Sequence, residues 1–289
     1  MAIITLTTDF GEKDHFAGAI KGAIYSELSD IRIVDVSHSV SPFDISEAAY
    51  IILNAYSSFP KGTIHIIGID SELSPENKHI AVNLDDHYFI CANNGIMSMI
   101  CAEIAPKKIV QINIHDKIET SFPVLDVFVK VACHIARGGT LEVIGKVINT
   151  IKPIKNLIPF VNDEQNQIIG SVLYVDNYGN VVTNIKRKFF ETIQKTRAYE
   201  ISARNHKFKT IHSKYSDIIN FKIEESKRND EGRGLVVFNS SGYLEIAVYK
   251  SNCSTVGSAS TLMGLKTMDT VTVNFFPILS TSQREGNLR

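Results

Sequence analysis

The sequence predicts an α/β domain with a largely parallel sheet, followed by a smaller C-terminal β-barrel domain. Three observations support this prediction: strands alternate with helices in the first half, a polar segment containing prolines follows, and short strands dominate the rest. Alternation of strands and helices is typical of parallel sheets, whereas closely spaced short strands are typical of barrels and sandwiches. We expect the two domains to span residues 1–155 and 168–280.

The elements of the first domain follow from hydrophobic periodicity. The opening run, Ile3-Ile4-Thr5-Leu6, is apolar and β-branched, and Phe16, Ile20 and Ile24 then recur at helical spacing. The predicted strands and helices lie, in chain order, at 2–8 (strand), 14–28 (helix), 31–36 (strand), 45–58 (helix), 63–69 (strand) and 88–92 (strand).

The elements of the second domain follow a change in composition. Prolines and polar residues between about 150 and 168 predict a linker. The charged stretch 224–232 predicts a solvated loop. The predicted strands are 168–175, 179–185, 198–203, 234–238, 243–249 and 270–276.

Composition excludes several classes of protein. The 289 residues are 44% hydrophobic and 21% charged, which is enough apolar material for a sizeable core. Thirty Lys and Arg against 31 Asp and Glu leave a net charge of −1, so nucleic acid is not an expected partner. No apolar run approaches the ~20 residues of a membrane span, and no membrane partner is expected.

The cysteines and the N-terminus indicate the compartment. Cys91, Cys101, Cys133 and Cys253 show no spacing typical of a metal site, so we expect reduced, mostly buried thiols and no metal. The N-terminus lacks a basic region, and Asp9 interrupts its apolar run. The chain is expected to be cytoplasmic.

Polar residues follow three of the predicted strands. Asp9, Asp70 and Asn93 each stand where a strand ends. Ligands of parallel sheets bind at the carboxyl ends of the strands, so these side chains are candidates for a binding site. The alternative is that Asp and Asn stand there only because turns favour them.

Five ordered blocks carry a more specific signal. They are Thr8-Asp9-Phe10-Gly11 with Asp14, His38 to Asp44, Asn93-Asn94-Gly95, Asp176 to Asn184, and Asn239 to Ala247. Together they resemble the S-adenosyl-L-methionine hydroxide adenosyltransferases, which are relatives of the fluorinating and chlorinating adenosyltransferases. The resemblance extends over nearly the whole chain. It implies an N-terminal α/β domain, a C-terminal β-barrel, and a homotrimer with the ligand between one subunit's N-domain and the next subunit's C-domain.

The resemblance also implies roles for individual residues. A carboxylate such as Asp9 can accept hydrogen bonds from both ribose hydroxyls. Flat side chains can pack on the sugar and the base. For the nucleoside, the resemblance implies that Asp9 binds the ribose hydroxyls with Asp14 near Asp9, that Phe43 packs on the ribose and adenine, that Asn93 lies at the same edge of the sheet, and that Tyr178 and Asn180 contact the adenine. For the methionine part, it implies that Asp176 pairs with the ammonium and that Ser240 and Ser241 bind the carboxylate. For Tyr178-Gly179-Asn180 and for Ser240-Ser241, a plain hairpin turn is the alternative.

The implied reaction is attack of water on the ribose C5′ of S-adenosyl-L-methionine, which is a substrate, with no cofactor required. Hydrolytic members hold this water with an Asp, an Arg and a His. Asp70 stands at the Asp position, but Asn77 and Pro123 stand at the other two, and Val124 and Leu125 indicate apolar packing around Pro123.

These departures leave two functions open. Lys78, His79 or Glu72 could replace the missing groups, although neighbouring positions need not point the same way. A halide nucleophile is disfavoured, because Asp70 and Glu72 place negative charge where an anion would sit. The chain is either a hydrolase that forms adenosine and methionine, or a degenerate relative that binds an adenosyl or other nucleoside ligand without hydrolysis.

Overall fold

The computed structural model describes residues 2–114, 119–154, 158–228 and 232–277. The chain divides into two compact units at residues 156 and 157, and each unit is presented by itself. The expected domain end at 155 and the last residues of 168–280 lie outside the described residues.

The first unit is built on a seven-stranded sheet in the order β2-β1-β3-β5-β4-β6-β7. Its strands are β1 (Ile3–Thr8), β2 (Arg32–Ser37), β3 (Ile64–Gly68), β4 (His79–Leu84), β5 (His87–Ala92), β6 (Lys108–Ile112) and β7 (Gly145–Ile148). Five of these described strands run in one direction, and β4 and β7 run in the other. The prediction of a largely parallel sheet is confirmed.

Helices cover both faces of this sheet. They are α1 (Phe16–Glu27), α2 (Ile45–Ala55), α3 (Ile96–Ile100) and α4 (Val129–Ala136). Successive strand residues point to opposite faces, so one set of strand side chains packs with α1 and α4, and the other packs with α2 and α3. Ile20 and Ile24 of α1 are completely buried, as their helical spacing predicts.

The second unit is a nine-stranded, mainly antiparallel sheet that curves into a barrel-like form. Its strands are β8 (Phe160–Val161), β9 (Gln167–Val175), β10 (Val181–Lys186), β11 (Ala198–Ala203), β12 (His206–Phe208), β13 (Ile211–His212), β14 (Gly234–Phe238), β15 (Tyr243–Val248) and β16 (Thr270–Phe276). Among the described residues, these strands are accompanied by the α-helices α5 (Arg187–Gln194) and α6 (Ala259–Met263). Side chains from six of these strands and both helices meet in one core, so the predicted barrel class is confirmed.

The predicted linker is partly wrong. Residues 151–154 are hydrogen-bonded to the first unit, and 160–161 form β8. Of the charged stretch 224–232, residues 224–227 and 232 are exposed and Arg228 is half-buried. A short 3-10 turn, Glu225–Lys227, lies in this stretch, and 229–231 lie outside the described residues.

The cysteines and the membrane prediction can be compared with the structure. All four thiols are free, with Cys91 and Cys133 buried and Cys253 exposed. Among the helices of the described residues, none combines the length and apolarity needed to cross a membrane.

Candidate active site

Three of the predicted residues gather at the carboxyl edge of the first sheet. Strands β1 and β3 are parallel neighbours with Thr8 opposite Gly68, and β5 is the next strand after β3. Asp9 directly follows β1, Asp70 lies two residues after β3, and Asn93 directly follows β5. The topology therefore places two carboxylates and an amide on adjacent strands, as the sequence predicted.

Asp9 and Phe43 are joined by a hydrogen bond. The Phe43 backbone N–H donates to Asp9 Oδ2 at 2.9 Å, and the Gly11 N–H donates to the His38 carbonyl at 2.7 Å. These bonds hold Phe43 at a φ of 63°, which a bulky residue seldom adopts. Its side chain is 72% exposed, so the ring is presented to solvent directly beside the carboxylate.

A series of polar contacts supports this loop pair, running from the buried Thr8 and His38 to Asp35 at the surface. Thr8 Oγ1 lies 2.7 Å from His38 Nδ1, and His38 Nε2 lies 3.1 Å from Asp35 Oδ1. Lys21 donates to Asp35 from the protein surface at 2.5 Å. Burial raises the pKa of Asp35, but the hydrogen bonds from Lys21 and His38 outweigh it and leave the pKa below its ordinary value. Sequence reasoning missed this series because its members lie on different elements.

Asp14 stands apart from Asp9. It is exposed in the loop before α1, and it makes no hydrogen bond or ion pair within the described part of the chain. The structure therefore does not bring Asp14 into the hydrogen-bonded cluster around Asp9.

Asp70 is held by Asn77. Asp70 leaves β3 with a φ of 43°, and the loop turns back so that Asn77 Nδ2 donates to Asp70 Oδ2 at 3.1 Å. Ser74 Oγ accepts from the Asn77 N–H at 3.0 Å and fixes the end of this loop. The residue at the family's Arg position is thus a direct partner of Asp70.

The conceivable substitutes do not share this contact. Glu72 and Lys78 are exposed, and neither has a hydrogen bond to Asp70 among the described residues. His79 is buried, with Nε2 at 2.9 Å from the Ser71 carbonyl oxygen and its ring packed edge-on against Phe128.

Pro123 lies in an apolar wall. It is buried at the start of a π-helical turn, Val124–Phe128, that leads into α4. Val124 packs so tightly on Gly68 that an added Cβ there would stand 3.1 Å from Val124 Cγ2. Phe122 packs edge-on against Phe10, with ring centres 5.6 Å apart. The apolar packing expected around Pro123 is present.

In the second unit, Asp176, Tyr178 and Asn180 build the turn between β9 and β10. Asp176 Oδ1 accepts from the Tyr178 and Asn180 N–H groups at 2.9 and 2.8 Å, and Oδ2 accepts from Asn180 Nδ2 at 2.9 Å. Gly179, at a φ of 74°, lets the turn lie against Ser258. The Tyr178 side chain is 63% exposed. The hairpin alternative is correct for the backbone, and the turn also presents the ring of Tyr178, while Asn180 is buried.

Ser240 and Ser241 lie in the turn between β14 and β15. Asn239 Oδ1 accepts from the Ser241 and Tyr243 N–H groups at 3.1 and 3.0 Å, and Asn239 Nδ2 donates to Glu245 Oε2 at 3.0 Å. Ser240 is exposed and Ser241 is half-buried, so both hydroxyls can be reached from solvent.

The two turns stand at opposite ends of one strand pair. Strands β10 and β15 are antiparallel, with Val181 opposite Ile246 and Lys186 opposite Tyr243. Five residue steps on β10 and three on β15 separate the turns, which is about 10–17 Å.

Glu245 lies between these two turns. Tyr215 donates to its Oε1 at 2.8 Å. Burial raises the pKa of this carboxyl, the hydrogen bonds from Asn239 and Tyr215 lower it, and the charge of Asp176 raises it again, so the pKa stands above its ordinary value. Glu245 was not among the predicted site residues, although it lies in one of the five blocks.

No metal centre emerges from these clusters. Over the described ranges, His, Cys, Asp and Glu side chains nowhere form a group of three that could hold a metal ion. The chemistry available is that of carboxylates, amides, hydroxyls and exposed aromatic rings.

An α/β unit with a polar carboxyl edge, followed by a barrel-like unit with two polar turns, is the architecture of the adenosyltransferase class that the five blocks resemble. Family comparison agrees. Residues 4–145 match the SAM hydroxide adenosyltransferase N-terminal domain, and residues 170–272 match the C-terminal domain of the same family. The chain belongs to the SAM hydroxide adenosyltransferase family.

Individual relatives include hydrolases and halogenating enzymes. An (R)-S-adenosyl-L-methionine hydrolase from Methanocaldococcus jannaschii is 29% identical over 263 residues, covering 87% of this chain and 90% of that protein. A fluorinase from Actinopolyspora mzabensis is 22% identical over 219 residues, covering 66% of this chain and 73% of the fluorinase.

Solved structures share the fold. An uncharacterized conserved protein from Thermotoga maritima superimposes with a TM-score of 0.78 at 27% identity, covering 95% of this chain and all of that chain. A conserved hypothetical protein from Thermus thermophilus gives a TM-score of 0.69 at 20% identity, covering 96% of this chain and all of that chain, and shows the likeness of fold alone.

Proposed function

We propose that this protein hydrolyses S-adenosyl-L-methionine to adenosine and methionine. The observation that carries the proposal is the edge where Asp9, Asp70 and Asn93 follow adjacent strands, with Phe43 bonded to Asp9. Family membership and the hydrolase relatives support it.

The first unit would hold the ribose and the nucleophile. Asp9 Oδ2 is occupied by the Phe43 N–H, which leaves Oδ1 to accept from the ribose hydroxyls, and the Phe43 ring would pack on the sugar and base. Asn93 would close the same edge. Asp14 would approach the ligand only if its exposed loop came closer on binding.

The second unit would hold the base and the amino acid. Tyr178 would stack on the adenine, and Asn180 would bind an adenine edge through Oδ1, because its Nδ2 is bonded to Asp176. Ser240 and Ser241 would bind the methionine carboxylate. Asp176 would act on the ammonium through its charge and not by direct contact, because the ammonium and carboxylate of methionine share one carbon and the two turns lie at opposite ends of the β10–β15 pair.

The reaction needs only positioning and desolvation of water. The water oxygen forms a bond to C5′ while the C5′–S bond breaks, and the electron pair of that bond goes to sulfur to give the neutral methionine thioether. The water loses one proton, which Asp70 would accept and pass to solvent, after accepting the hydrogen bond that directs the water. The sulfonium is already a good leaving group, so no cofactor is required by the chemistry.

The complete site would be formed between subunits of a homotrimer in the cytoplasm. Each described unit carries only part of the ligand-binding set, and this division supports a shared site. A closed cyclic assembly lets every subunit use both parts.

A second candidate is binding of an adenosyl ligand or another nucleoside without turnover. The buried Pro123 favours it, because a proline ring cannot orient water.

One experiment separates the two candidates. Purified protein is incubated with S-adenosyl-L-methionine, products are separated by chromatography, and the melting temperature is recorded with and without ligand. Hydrolysis predicts adenosine and methionine in equal amounts and a raised melting temperature with adenosine. A raised melting temperature with no adenosine formed supports binding without turnover. If no adenosine is formed and the melting temperature does not change, both candidate functions are contradicted.

A further inference from the structure

The segment 151–154, which its composition predicts as linker, is fixed across the carboxyl edge of the first sheet. The Lys152 backbone N–H donates to Asn93 Oδ1 at 2.8 Å, and the Ile154 N–H donates to Ser98 Oγ at 3.1 Å. Gly95 lies so close below that an added Cβ there would stand 3.0 Å from Ile154 Cβ. These contacts set the position from which the Lys152 side chain starts.

The Lys152 ammonium reaches the partner of Asp70. Its Nζ lies 3.4 Å from Asn77 Oδ1, and Asn77 Nδ2 donates to Asp70 Oδ2 at 3.1 Å. A side-chain amide between a cation and an anion is polarised by both, which strengthens both interactions. The series Lys152, Asn77, Asp70 therefore connects a positive charge to the carboxylate by way of a neutral amide.

The order of these groups fixes the orientation of the amide. An Asn side chain can turn over and exchange its NH2 group with its oxygen. Turning Asn77 over would direct its NH2 group at the Lys152 ammonium and its oxygen at the Asp70 carboxylate, so both contacts would become repulsive. The ammonium thus keeps the Asn77 NH2 group on Asp70 Oδ2, and Oδ1 has no other partner among the described residues.

We propose that Lys152 is a positioning residue for hydrolysis, acting through Asn77 to hold Asp70 with one carboxylate oxygen directed at the attacking water. This inference rests on the proposed function. In this inference, Lys152, from a distant segment, supplies the positive charge that Asn77 lacks. It also gives Asn93 a second task, because Asn93 anchors the backbone of Lys152.

Lys78 provides a matched control. It is an exposed lysine next to Asn77 in sequence, and its backbone carbonyl, rather than its ammonium, accepts from the Asn93 N–H at 2.6 Å. A variant at Lys78 therefore removes an equal charge nearby without touching the series from Lys152 to Asp70.

The test measures adenosine formation by wild type, Lys152→Met, Lys152→Arg and Lys78→Met. Orienting groups contribute about 10²–10⁴-fold when they act directly, so we expect Lys152→Met, acting through an amide, to lower kcat about tenfold or more. KM should stay within about twofold, because the effect is on the transition state. Lys152→Arg should recover most of the activity, and Lys78→Met should equal wild type.

A double variant tests the route. If Lys152 acts through Asn77, Lys152→Met should cost no further activity in an Asn77→Ala background. With an active wild type, any of four results would overturn the inference. They are additive losses of kcat in the double variant, an unchanged kcat in Lys152→Met, an effect of Lys152→Met on KM alone, and an equal loss of kcat in Lys78→Met. An inactive wild type would overturn the proposed function itself, and this assignment with it.

Discussion

At the scale of single residues, the proposed hydrolysis depends most on Asp70. Its φ of 43° lies in the left-handed region, where Asp is tolerated better than most residues, and this turn brings Asn77 back to its carboxylate. A carboxylate held in this way can orient water, whereas an amide at the same place accepts less strongly and cannot take a proton.

Asp70→Asn should therefore lower kcat by about 10²-fold or more and leave KM within about twofold, because the role of Asp70 is in the transition state. Steady-state rates of adenosine release check this, with melting temperature as the control for folding. A variant as fast as wild type would show that the water is held elsewhere.

Gly179 supports the adenine turn in two ways. Its φ is 74°, and a Cβ would stand 2.2 Å from Ser258 Oγ and 2.5 Å from Cys253 Sγ. Gly179→Ala should displace Tyr178 and weaken adenosine binding about tenfold, which corresponds to about 1.4 kcal/mol. Calorimetric titration measures the change. Gly62→Ala is the control, since Gly62 has a φ of 85° with open space around it and lies before the amino end of β3, whereas Asp70 follows its carboxyl end. Equal affinity of both variants for adenosine would show that Gly179 does not support adenosine binding.

At the scale of elements, strands β3 and β5 carry a buried pair of histidines. Thr5 Oγ1 lies 2.7 Å from His65 Nδ1, and His65 Nε2 lies 3.1 Å from His87 Nδ1. Burial lowers the pKa of both rings, and burial together with the neighbouring His87 lowers that of His65 to about 3. The pair packs among Tyr56, Phe59 and Phe89, where a charged ring would have no water.

This pair makes the folded state sensitive to acid. The unfolded chain takes up a proton on His65 near pH 6.5, whereas the folded chain does so only near pH 3, so the contribution of His65 to stability is complete above pH 6.5 and is lost as the pH falls toward 3. The lowered pKa of His87 acts in the same direction. Between these pH values, the free energy of unfolding should decrease by up to about 1.4 kcal/mol per pH unit from His65. Urea denaturation between pH 7 and pH 4.5 measures the slope, and His65→Gln should reduce it. An unchanged slope in that variant would contradict the assignment.

Sequence reasoning identified elements with regular periodicity and missed those decided by distant contacts. The apolar, β-branched run of β1 and the spacing of Ile20 and Ile24 are local signals, and β1, α1 and the strand β9 were predicted close to their observed bounds. Helix α5 is strongly amphipathic but contains few apolar residues, and it was missed among the surrounding strands.

The site shows the same limit. Asp9, Asp70 and Asn93 could be placed at one edge because strand ends and topology follow from the pattern. The contact of Lys152 with Asn77 joins residues 75 positions apart, and the bond of Asn239 to Glu245 depends on the register of a hairpin. Neither follows from residue type or spacing.

At the scale of the whole molecule, the division of the ligand set between two units predicts shared sites in a trimer. Asp70→Asn disables the first unit's part, and Ser241→Asp should disable the second unit's part by repelling the methionine carboxylate. Coexpression of the two variants should restore about a quarter of wild-type activity, because that fraction of sites combines two intact parts from different chains. Light scattering should give the mass of three chains. Mixed oligomers without activity would place each site within one chain.

The proposed hydrolysis requires that water attack C5′ of S-adenosyl-L-methionine in this protein. The most direct measurement is a reaction of the wild-type protein with S-adenosyl-L-methionine in water enriched in oxygen-18, with mass spectrometry of the products. Hydrolysis at C5′ predicts one methionine for each adenosine, and the heavy oxygen at the 5′ position of the adenosine. Absence of adenosine, or adenosine without the heavy oxygen, would contradict it.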